Sequence, residues 1–429
     1  MGERPRRSRP ARARDNGLGW VGDEFEVTVG PVAHGGHCVA RHEGRVVFVR
    51  HSLPGERVVA RVTEDRHPGF CRADAVAVLE ASPARVERPC PHSGPGLCGG
   101  CDWQHVDPAE QRRLKEAVVR EQLARLAGLD DVEVTVAELP GGPLRWRSRA
   151  RFAVDRTGAA GLRRHRSHDV VVLDDCPITV EPAAQAVLGR RWPGAGAVDV
   201  SVDSTGAVTT SRLDRSGRET SSRVVRPGGE LPEEPVARAE RRAGGRDWEV
   251  EGTGFWQVHP AAADALVGAV AALAEVRAGD TVLDLYAGAG LFGGALAPEV
   301  GESGRVVCVE SDAAACAAAD ANLAGLPQAK VWQGEVDAGG LRELLDEMGA
   351  PPDVVVLDPP RAGAGQAVSR LLAGTGARAV VYVACDPAAL ARDVAAFGEA
   401  GYRLAGIRGF DAFPMTAHVE CVALLVPAT

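Results

Sequence analysis

The chain has 429 residues, of which 45% are hydrophobic and 25% charged, so it is globular in composition and long enough for two or three domains. Its 51 glycines and 28 prolines follow no fixed period, which excludes a collagen-like structure. The net charge of −9 is unevenly distributed, because residues 255–429 carry 10 Lys and Arg against 21 Asp and Glu. The remaining N-terminal part is nearly balanced, so the net charge does not exclude a polyanionic partner.

Four regions follow one another along the chain. Residues 1–17 contain six arginines and almost nothing apolar, which is typical of a disordered basic tail, either an RNA-seeking arm or a solubilising extension. Residues 18–80 alternate short period-two runs with Gly and Pro-Gly turns, which predicts a small β-barrel. Residues 81–252 combine clustered cysteines, a helix predicted from Pro108 to about Leu126 and further strands, as in a central mixed α+β domain. In residues 253–429 strands alternate with Ala-rich helices, which predicts an α/β domain with a parallel sheet.

The sequence gives no indication of export or membrane insertion. The N-terminus has no apolar segment of signal-peptide type. The apolar stretch 261–274 is short and interrupted by Asp264, too little to span a bilayer. We therefore expect a cytoplasmic protein, in which clustered cysteines indicate metal binding or catalysis rather than disulfides.

A glycine-rich turn follows the predicted strand that begins at Thr281. Gly288, Gly290 and Gly293 satisfy G-x-G-x-x-G, and Glu310 closes the next predicted strand. Such glycines let the backbone approach a nucleoside cofactor closely, and the carboxylate binds its ribose hydroxyls. The glycines by themselves fit an NAD-dependent dehydrogenase equally well.

Two acidic residues favour S-adenosylmethionine over NAD. Asp284 precedes the glycines, where an acid would face a cationic cofactor and repel a pyrophosphate. Asp358 opens an Asp-Pro-Pro-Arg turn after a later strand, and such a turn usually forms the floor of a methyltransferase pocket.

Cys385 is the candidate nucleophile. It ends the apolar strand that begins at Val380, and Asp386 and Pro387 predict an N-cap and a first helical residue directly after it. A thiol at a helix N-terminus has its thiolate favoured by the helix-end amides. Cys308 and Cys316 are by contrast predicted to be structural.

Glu420 interrupts an apolar strand near the C-terminus. A carboxylate there is either buried with a function, as a base of raised pKa, or a surface charge on an edge strand. The residues themselves leave both interpretations open.

Cys90, Cys98, Cys101 and the distant Cys176 form a candidate four-thiolate site. Four thiolates suit structural zinc or an iron–sulfur cluster, and their spacing does not decide between the two. Downstream, residues 141–170 hold eight arginines against Asp155 and Asp169, and Arg145, Arg147, Arg149 and Arg151 alternate as on one face of a strand. This pattern favours a phosphate-binding platform for RNA.

With these residues the chain resembles the RNA (uracil-5-)-methyltransferase family, from about residue 20 to its end. The motifs that carry the resemblance are Phe255-Trp-Gln-Val, Asp284-Leu-Tyr-Ala-Gly-Ala-Gly-Leu-Phe, Asp358-Pro-Pro-Arg-Ala-Gly, Tyr382-Val-Ala-Cys-Asp-Pro-Ala-Ala-Leu and His418-Val-Glu. The resemblance implies a C-terminal Rossmann-like class I methyltransferase domain and an N-terminal OB-like barrel of the TRAM type. The chain departs from the family pattern at Leu291, where many relatives have Asn, and at Asp386, where Asn is commoner.

The resemblance also implies roles for individual residues. Those expected to contact S-adenosylmethionine are Gln257, Tyr286, Glu310 and Asp358. Cys385 becomes the nucleophile that adds to carbon 6 of uracil, and Glu420 the acceptor of the carbon-5 proton. The four cysteines become ligands of a [4Fe-4S] cluster, with zinc as the alternative.

The sequence therefore predicts a cytoplasmic, monomeric enzyme that makes 5-methyluridine in RNA and binds no membrane. The barrel and the cysteine cluster resemble the ribosomal-RNA branch of the family, which favours large-subunit (23S) ribosomal RNA over transfer RNA. One alternative is a TRAM-type RNA-binding protein without catalysis, against which Cys385, Glu420 and Asp358 argue. The other is an iron–sulfur redox or radical enzyme, which would usually have three closely spaced cysteines and an open iron site.

Overall fold

The computed structural model describes residues 17–225, 238–252 and 254–428. The chain divides into two compact units between Arg85 and Val86, and each is described by itself. The predicted basic tail, residues 1–17, lies outside the described residues except for Gly17. Within the described ranges, no helix is both long and apolar enough to cross a membrane.

The N-terminal unit is a five-stranded sheet, in which four of the five strands coincide with the period-two runs that predicted a small β-barrel. Its strands are β1 (Glu24–Thr28), β2 (Cys38–His42), β3 (Arg45–Arg50), β4 (Arg57–His67) and β5 (Phe70–Glu80). They are arranged in the order β1-β4-β5-β3-β2. Alternate side chains such as Val47, Val58 and Ala60 are fully buried and form one core, because successive residues of a strand point to opposite faces. The sequence pattern did not indicate β2.

The second unit begins with the cysteine-rich loop and a long helix, α1 (Pro108–Ala127), followed by the short strand β6 (Val136–Glu138). Asp107 caps α1 by accepting hydrogen bonds from the amides of Ala109 and Glu110, and Gly128 ends the helix with a left-handed φ of 68°. The predicted bounds of this helix are thus confirmed within one residue.

A six-stranded antiparallel sheet follows. Its strands, with one short helix, are β7 (Arg149–Val154), β8 (Ala160–Arg163), β9 (Val170–Val172), α2 (Glu181–Val187), β10 (Ala197–Val202), β11 (Val208–Leu213) and β12 (Glu219–Val225). Three of its turns share one device: Asp155, Asp203 and Asp214 each accept hydrogen bonds at Oδ1 from the amides two and four residues ahead. These Asx turns explain why a stretch with weak hydrophobic patterning still forms regular hairpins.

The C-terminal part is an eight-stranded sheet with helices on both faces. The hairpin of β13 (Arg238–Ala243) and β14 (Arg246–Glu251) precedes it. The elements that follow are, in chain order, α3 (Ala262–Ala274), β15 (Thr281–Leu285), α4 (Leu291–Val300), β16 (Arg305–Glu310), α5 (Ala313–Leu323), β17 (Ala329–Gln333), α6 (Ala338–Met348), β18 (Val354–Leu357), α7 (Gln366–Gly374), β19 (Ala379–Ala384), α8 (Pro387–Glu399), β20 (Tyr402–Asp411) and β21 (Glu420–Pro427). The strand order is β17-β16-β15-β18-β19-β21-β20-β6. The five strands from β17 to β19 are parallel, and β21 joins antiparallel to β19.

The predicted parallel sheet is therefore extended by a segment from the preceding region. β6 pairs with β20 through Val136 and Gly409, and α1 packs against α8. Neither contact was indicated by the sequence, because a three-residue strand carries no periodic signal and its partner lies far along the chain.

Candidate active site

The predicted site residues converge at one edge of the eight-stranded sheet. Tyr286, Glu310, Asp358 and Cys385 each lie at or just beyond the carboxyl end of a parallel strand, where open α/β sheets bind their ligands. The antiparallel strand β21 begins at this same edge with Glu420. Strand order thus brings together residues that are more than a hundred positions apart in sequence.

The glycine-rich turn between β15 and α4 is held in shape by Glu310. Gly288 and Gly290 have φ angles of 55° and 86°, in the region that favours glycine. Glu310 Oε2 accepts a hydrogen bond from the Gly288 amide at 2.9 Å, while Oε1 accepts from the amides of Ser311 and Asp312. The carboxylate therefore joins the turn to the end of β16, and its remaining lone pairs are available to ribose hydroxyls.

Asp284 does not face a cofactor, which corrects the prediction that it would. Its side chain is fully buried beneath the turn, where Oδ2 accepts from the Gly293 amide at 2.7 Å. Oδ1 has no hydrogen-bond partner among the described residues. Burial, with contributions from Asp358 and Glu310, raises the pKa of Asp284 to about 7. Asp284 thus links α4 to β15 through a buried hydrogen bond instead of binding a ligand.

Gln257 and Tyr286 are the two further residues that the resemblance assigns to cofactor binding. Gln257 is half-buried, and its side-chain amide makes no hydrogen bond to another described residue, so it is free to bind a ligand. The adjacent Trp256 belongs to the same large hydrophobic cluster as Ala287 and Leu291. Tyr286 has a left-handed φ of 61° and donates its hydroxyl to the Val336 carbonyl at 3.3 Å. Tyr286 is half-buried and directly follows the carboxyl end of β15.

Cys385 is partly exposed at the junction of β19 and α8. As predicted, Asp386 is the N-cap and accepts from the Ala389 amide at 2.9 Å, and Pro387 is the first helical residue. Burial and the nearby carboxylates of Glu420 and Asp358 raise the pKa of the thiol to about 11, while the Arg361 guanidinium opposes them. The favourable effect of the helix N-terminus is thus outweighed in the unliganded protein.

Glu420 is buried, with 3% of its surface exposed, which excludes a surface charge on an edge strand. The register of β19 and β21 pairs Ala384 with Cys421, so Cys385 and Glu420 occupy the next facing positions. Burial and the charge of Asp358 raise the pKa of Glu420 well above its ordinary value, with Arg361 again opposing. A buried carboxyl of raised pKa beside a thiol has the properties of a proton acceptor in catalysis.

Arg361 and His418 form a pair at the mouth of this site. Arg361 Nη2 lies 3.4 Å from His418 Nε2. Because a guanidinium can only donate, His418 is the acceptor and its imidazole is neutral. Desolvation of the ring and the charge of Arg361 accordingly lower the pKa of His418 to about 4. The sequence motif contained His418, but no sequence signal linked it to Arg361.

The four predicted metal-ligating cysteines surround one small cavity in the second unit. Cys90, Cys98, Cys101 and Cys176 all line it, none is in a disulfide, and three of the four are buried. Burial and their mutual proximity raise the pKa values of Cys90, Cys98 and Cys101. Within the described ranges, no group of three or more His, Cys, Asp or Glu has the arrangement of ligands around a single metal ion.

Two amide groups point at these sulfur atoms. The Gly100 amide donates to Cys98 Sγ at 3.4 Å, and Gln104 Nε2 donates to Cys101 Sγ at 3.2 Å. Gln104 is itself oriented by the Cys90 amide, which donates to its Oε1 at 3.0 Å. Amide donors of this kind stabilise thiolates and tune metal centres.

The predicted row of four arginines is not continuous, which corrects the sequence interpretation. β7 begins only at Arg149, and Arg145 lies outside it with a φ of 55°. Arg145 forms a two-point ion pair with Asp175, and Arg151 forms another with Asp199. Two aspartates that lie far from these arginines in sequence, Asp175 and Asp199, thus neutralise two of the four arginines.

The turn between β8 and β9 remains strongly basic. We call it the basic tip; its exposed members are Arg163, Arg164, His165, Arg166 and His168. The tip is joined to the cysteine-rich loop, since the Gly99 amide donates to the Arg163 carbonyl at 3.0 Å and Cys98 bridges to Arg164.

An open, largely parallel sheet with a glycine-rich turn after β15 and an Asp-Pro-Pro turn after β18 defines a Rossmann-like S-adenosylmethionine-dependent methyltransferase. Residues 20–76 match the TRAM domain family, and residues 350–427 match the family described as tRNA (Uracil-5-)-methyltransferase. An uncharacterized RNA methyltransferase of Streptomyces coelicolor is 50% identical over 95% of this chain and 94% of its own length. The 23S rRNA (uracil(1939)-C(5))-methyltransferase of Pseudomonas aeruginosa is 34% identical over 94% of both chains.

Among solved structures, the fold is shared with the Pyrococcus abyssi tRNA (uracil-54, C5)-methyltransferase in complex with S-adenosyl-L-homocysteine. The TM-score is 0.68 at 22% identity, over 94% of this chain and 100% of the other. The chain belongs to the RNA (uracil-5-)-methyltransferase family and is an enzyme of that class. The TRAM domain and the family that the sequence resembled are thereby confirmed.

Proposed function

We propose that this enzyme methylates carbon 5 of a uridine in large-subunit ribosomal RNA, with Cys385 as nucleophile and Glu420 as proton acceptor. The observation that carries the proposal is the facing position of these two residues at the ligand-binding edge of the sheet. The 34% identity to a 23S rRNA methyltransferase over nearly the whole chain supports the ribosomal substrate.

The reaction needs both groups because carbon 5 of uracil is a poor nucleophile. The Cys385 thiolate adds to carbon 6, and the electron pair of the 5,6 double bond moves into an enolate. Carbon 5 of this enolate would then take the methyl group of S-adenosylmethionine, whose sulfur–methyl bond breaks to leave S-adenosylhomocysteine. Glu420 removes the carbon-5 proton, the double bond re-forms and the thiolate leaves. The target base has to leave its stack for the thiol to reach it.

The methyl donor fits residues at the carboxyl edge of the sheet. Gln257 offers a side-chain amide that makes no hydrogen bond to another described residue, and Glu310 offers a carboxylate beside the glycine-rich turn. Asp358 follows β18, where burial raises its pKa to about 7. We assign these residues, with Tyr286 and Gly288, to cofactor binding.

We assign the four cysteines to a metal centre, with a [4Fe-4S] cluster favoured over zinc, whose single ion would need a ligand arrangement that the described residues do not show. The Gly100 and Gln104 amides donate to the Cys98 and Cys101 sulfurs, and burial raises the pKa of these two thiols, so a bound cation would favour their thiolates. Bound iron would organise the cysteine-rich loop and the basic tip attached to it. Anaerobic purification should yield iron and visible absorbance that Cys176→Ser abolishes and Cys316→Ser leaves intact. Zinc without iron would exclude the cluster.

Methyl transfer to unmodified ribosomal and transfer RNA tests the function directly. Wild-type protein should form 5-methyluridine in large-subunit ribosomal RNA, and Cys385→Ala should form none while still binding the RNA. Undiminished product with Cys385→Ala would refute the nucleophile. Product in transfer RNA with none in ribosomal RNA would refute the ribosomal assignment.

A further inference from the structure

A buried tyrosine–aspartate pair lies next to the loop that follows Asp358. The Tyr382 hydroxyl donates to Asp393 Oδ2 at 2.6 Å, and the two residues are 0% and 3% exposed. Neither residue takes part in the reaction proposed above. A carboxylate is costly to bury unless hydrogen bonds satisfy it, so the partners of Asp393 indicate what the pair does.

Those partners are backbone amides of the loop. The Ala364 amide donates to both the Tyr382 hydroxyl oxygen and Asp393 Oδ2, at 3.0 and 2.8 Å, and the Gly365 amide donates to Asp393 Oδ2 at 3.2 Å. Gly363 has a φ of 87°, and a Cβ there would lie 2.6 Å from the same oxygen. The loop backbone is thus fixed directly against the carboxylate.

This contact fixes the turn that carries Arg361. The Gly363 amide donates to the Pro360 carbonyl at 2.8 Å, which closes a turn with Arg361 and Ala362 at its centre. Pro359 and Pro360 stiffen the approach from β18 because each has a fixed φ. The Arg361 backbone is therefore held on both sides, by prolines before it and by the pair after it.

The Arg361 side chain extends from this turn into the site. It faces His418 Nε2, and its positive charge opposes the carboxylates that act on Cys385 and Glu420. Among the described residues, Glu420, Asp358 and Asp386 are charged groups that disfavour the thiolate, and Arg361 is one that favours it. A small displacement of this cation has a large effect because the site is partly desolvated.

We propose that Tyr382 and Asp393 are positioning residues that fix the turn from Pro360 to Gly363 and thereby hold the Arg361 guanidinium beside Cys385 and Glu420. The inference rests on the proposed function, in which a thiolate forms at Cys385 and negative charge develops on the uracil ring; the Arg361 guanidinium would stabilise both. A cation fixed in advance needs no reorganisation when that charge appears.

The test is Tyr382→Phe in the full-length protein, with Tyr402→Phe as matched control. Tyr402 is also buried, and its hydroxyl donates one hydrogen bond, to the Ala377 carbonyl at 2.6 Å, which Tyr402→Phe removes. Tyr402 lies at the end of the sheet opposite to Cys385. The first readout is alkylation of Cys385 by iodoacetamide at about pH 8–9, followed in the tryptic peptide 379–392, whose single cysteine it is. Its rate is proportional to the thiolate fraction.

We expect Tyr382→Phe to slow this alkylation about three- to tenfold, corresponding to a rise of roughly half to one pKa unit. Its kcat should fall with KM for RNA unchanged, and Asp393→Asn should act in the same direction. Tyr402→Phe should leave alkylation and kcat at wild-type values. A merely structural loosening would expose the thiol and speed its alkylation, so a faster or unchanged rate in both pair variants overturns the proposal.

Arg361→Gln provides the second criterion. It should slow alkylation as well, and adding Tyr382→Phe to it should have no further effect, because the pair acts through the arginine. Additive effects would overturn the proposal. Alkylation needs no turnover, so it tests the positioning pair even if wild-type protein failed to make 5-methyluridine, which would refute only the proposed function.

Discussion

Cys385 and Glu420 face each other across β19 and β21, one position beyond the last register pair, Ala384 and Cys421. Each group is disfavoured from ionising, Cys385 partly by Glu420 itself and Glu420 by burial and Asp358. The unliganded site therefore avoids two adjacent negative charges. In the proposed reaction the two charges alternate: Glu420 is ionised while the Cys385 sulfur is bonded to the uracil ring, and Glu420 is protonated when the thiolate leaves.

Glu420→Gln should stop the reaction after methyl transfer and before removal of the carbon-5 proton. Without a base the carbon-5 proton stays, so the thiol cannot leave and a covalent protein–RNA adduct should accumulate on denaturing gels. Turnover should fall by about 10²- to 10⁴-fold, the usual contribution of a general base. Glu399→Gln, which removes an exposed carboxylate that pairs with Arg370, should behave as wild type. Full turnover without adduct in Glu420→Gln would assign the proton to another acceptor.

The alkylation rate of wild-type Cys385 should depend steeply on pH. The raised pKa of about 11 makes the thiolate a minor species at neutral pH, and it gains population as the pH rises. The rate should therefore increase about tenfold per unit between roughly pH 7 and 10. Cys421, fully buried with a raised pKa, should react only after unfolding. A plateau already reached near pH 8 would contradict the raised pKa.

The buried ion pair of Lys115 and Asp411 should be important for stability. Lys115 Nζ lies 2.5 Å from Asp411 Oδ1 with both side chains buried, and it also donates to the Phe413 carbonyl. Lys115→Met would leave the Asp411 carboxylate buried without its cation and should lower the free energy of unfolding in urea by about 3–5 kcal/mol.

Two further variants control this prediction. Asp411→Leu combined with Lys115→Met should cost less than Lys115→Met does, because no buried charge remains. Arg113→Ala removes an exposed pair with Glu110 and should change the free energy by less than about 1 kcal/mol. Equal losses for the buried and exposed pairs would contradict the assignment.

Gly99→Ala should weaken RNA binding through the basic tip. A Cβ at Gly99 would lie 2.6 Å from the His165 amide nitrogen and 2.7 Å from its Cα, so the backbone of the tip has to move. We expect a lower affinity for RNA and a shallower dependence of that affinity on salt, since fewer phosphates are contacted.

Gly100→Ala is the matched control in the same Cys-Gly-Gly-Cys loop. Its Cβ would meet only the flexible Leu162 side chain, at 3.1 Å, and the Cys98 sulfur at 3.5 Å. Its RNA affinity and salt slope should remain near wild type. Binding of RNA phosphates by the basic tip is refuted if the two variants bind RNA with the same affinity and salt slope.

The sequence by itself determined the local features of this protein. The glycine-rich turn, the N-cap at Asp386 and the bounds of α1 follow from residue types at fixed short spacings, which act through hydrogen bonds a few residues apart. The order of the motifs was also sufficient to indicate the family.

Tertiary structure decided everything that depends on strand order and register. It placed Glu420 opposite Cys385, buried Asp284 beneath the turn, and neutralised Arg151 with Asp199 from a neighbouring strand. It also brought Tyr382 and Asp393 against the loop that carries Arg361. These contacts join residues whose separation along the chain leaves no periodic signal, because packing of the whole sheet, and not local spacing, sets their distance.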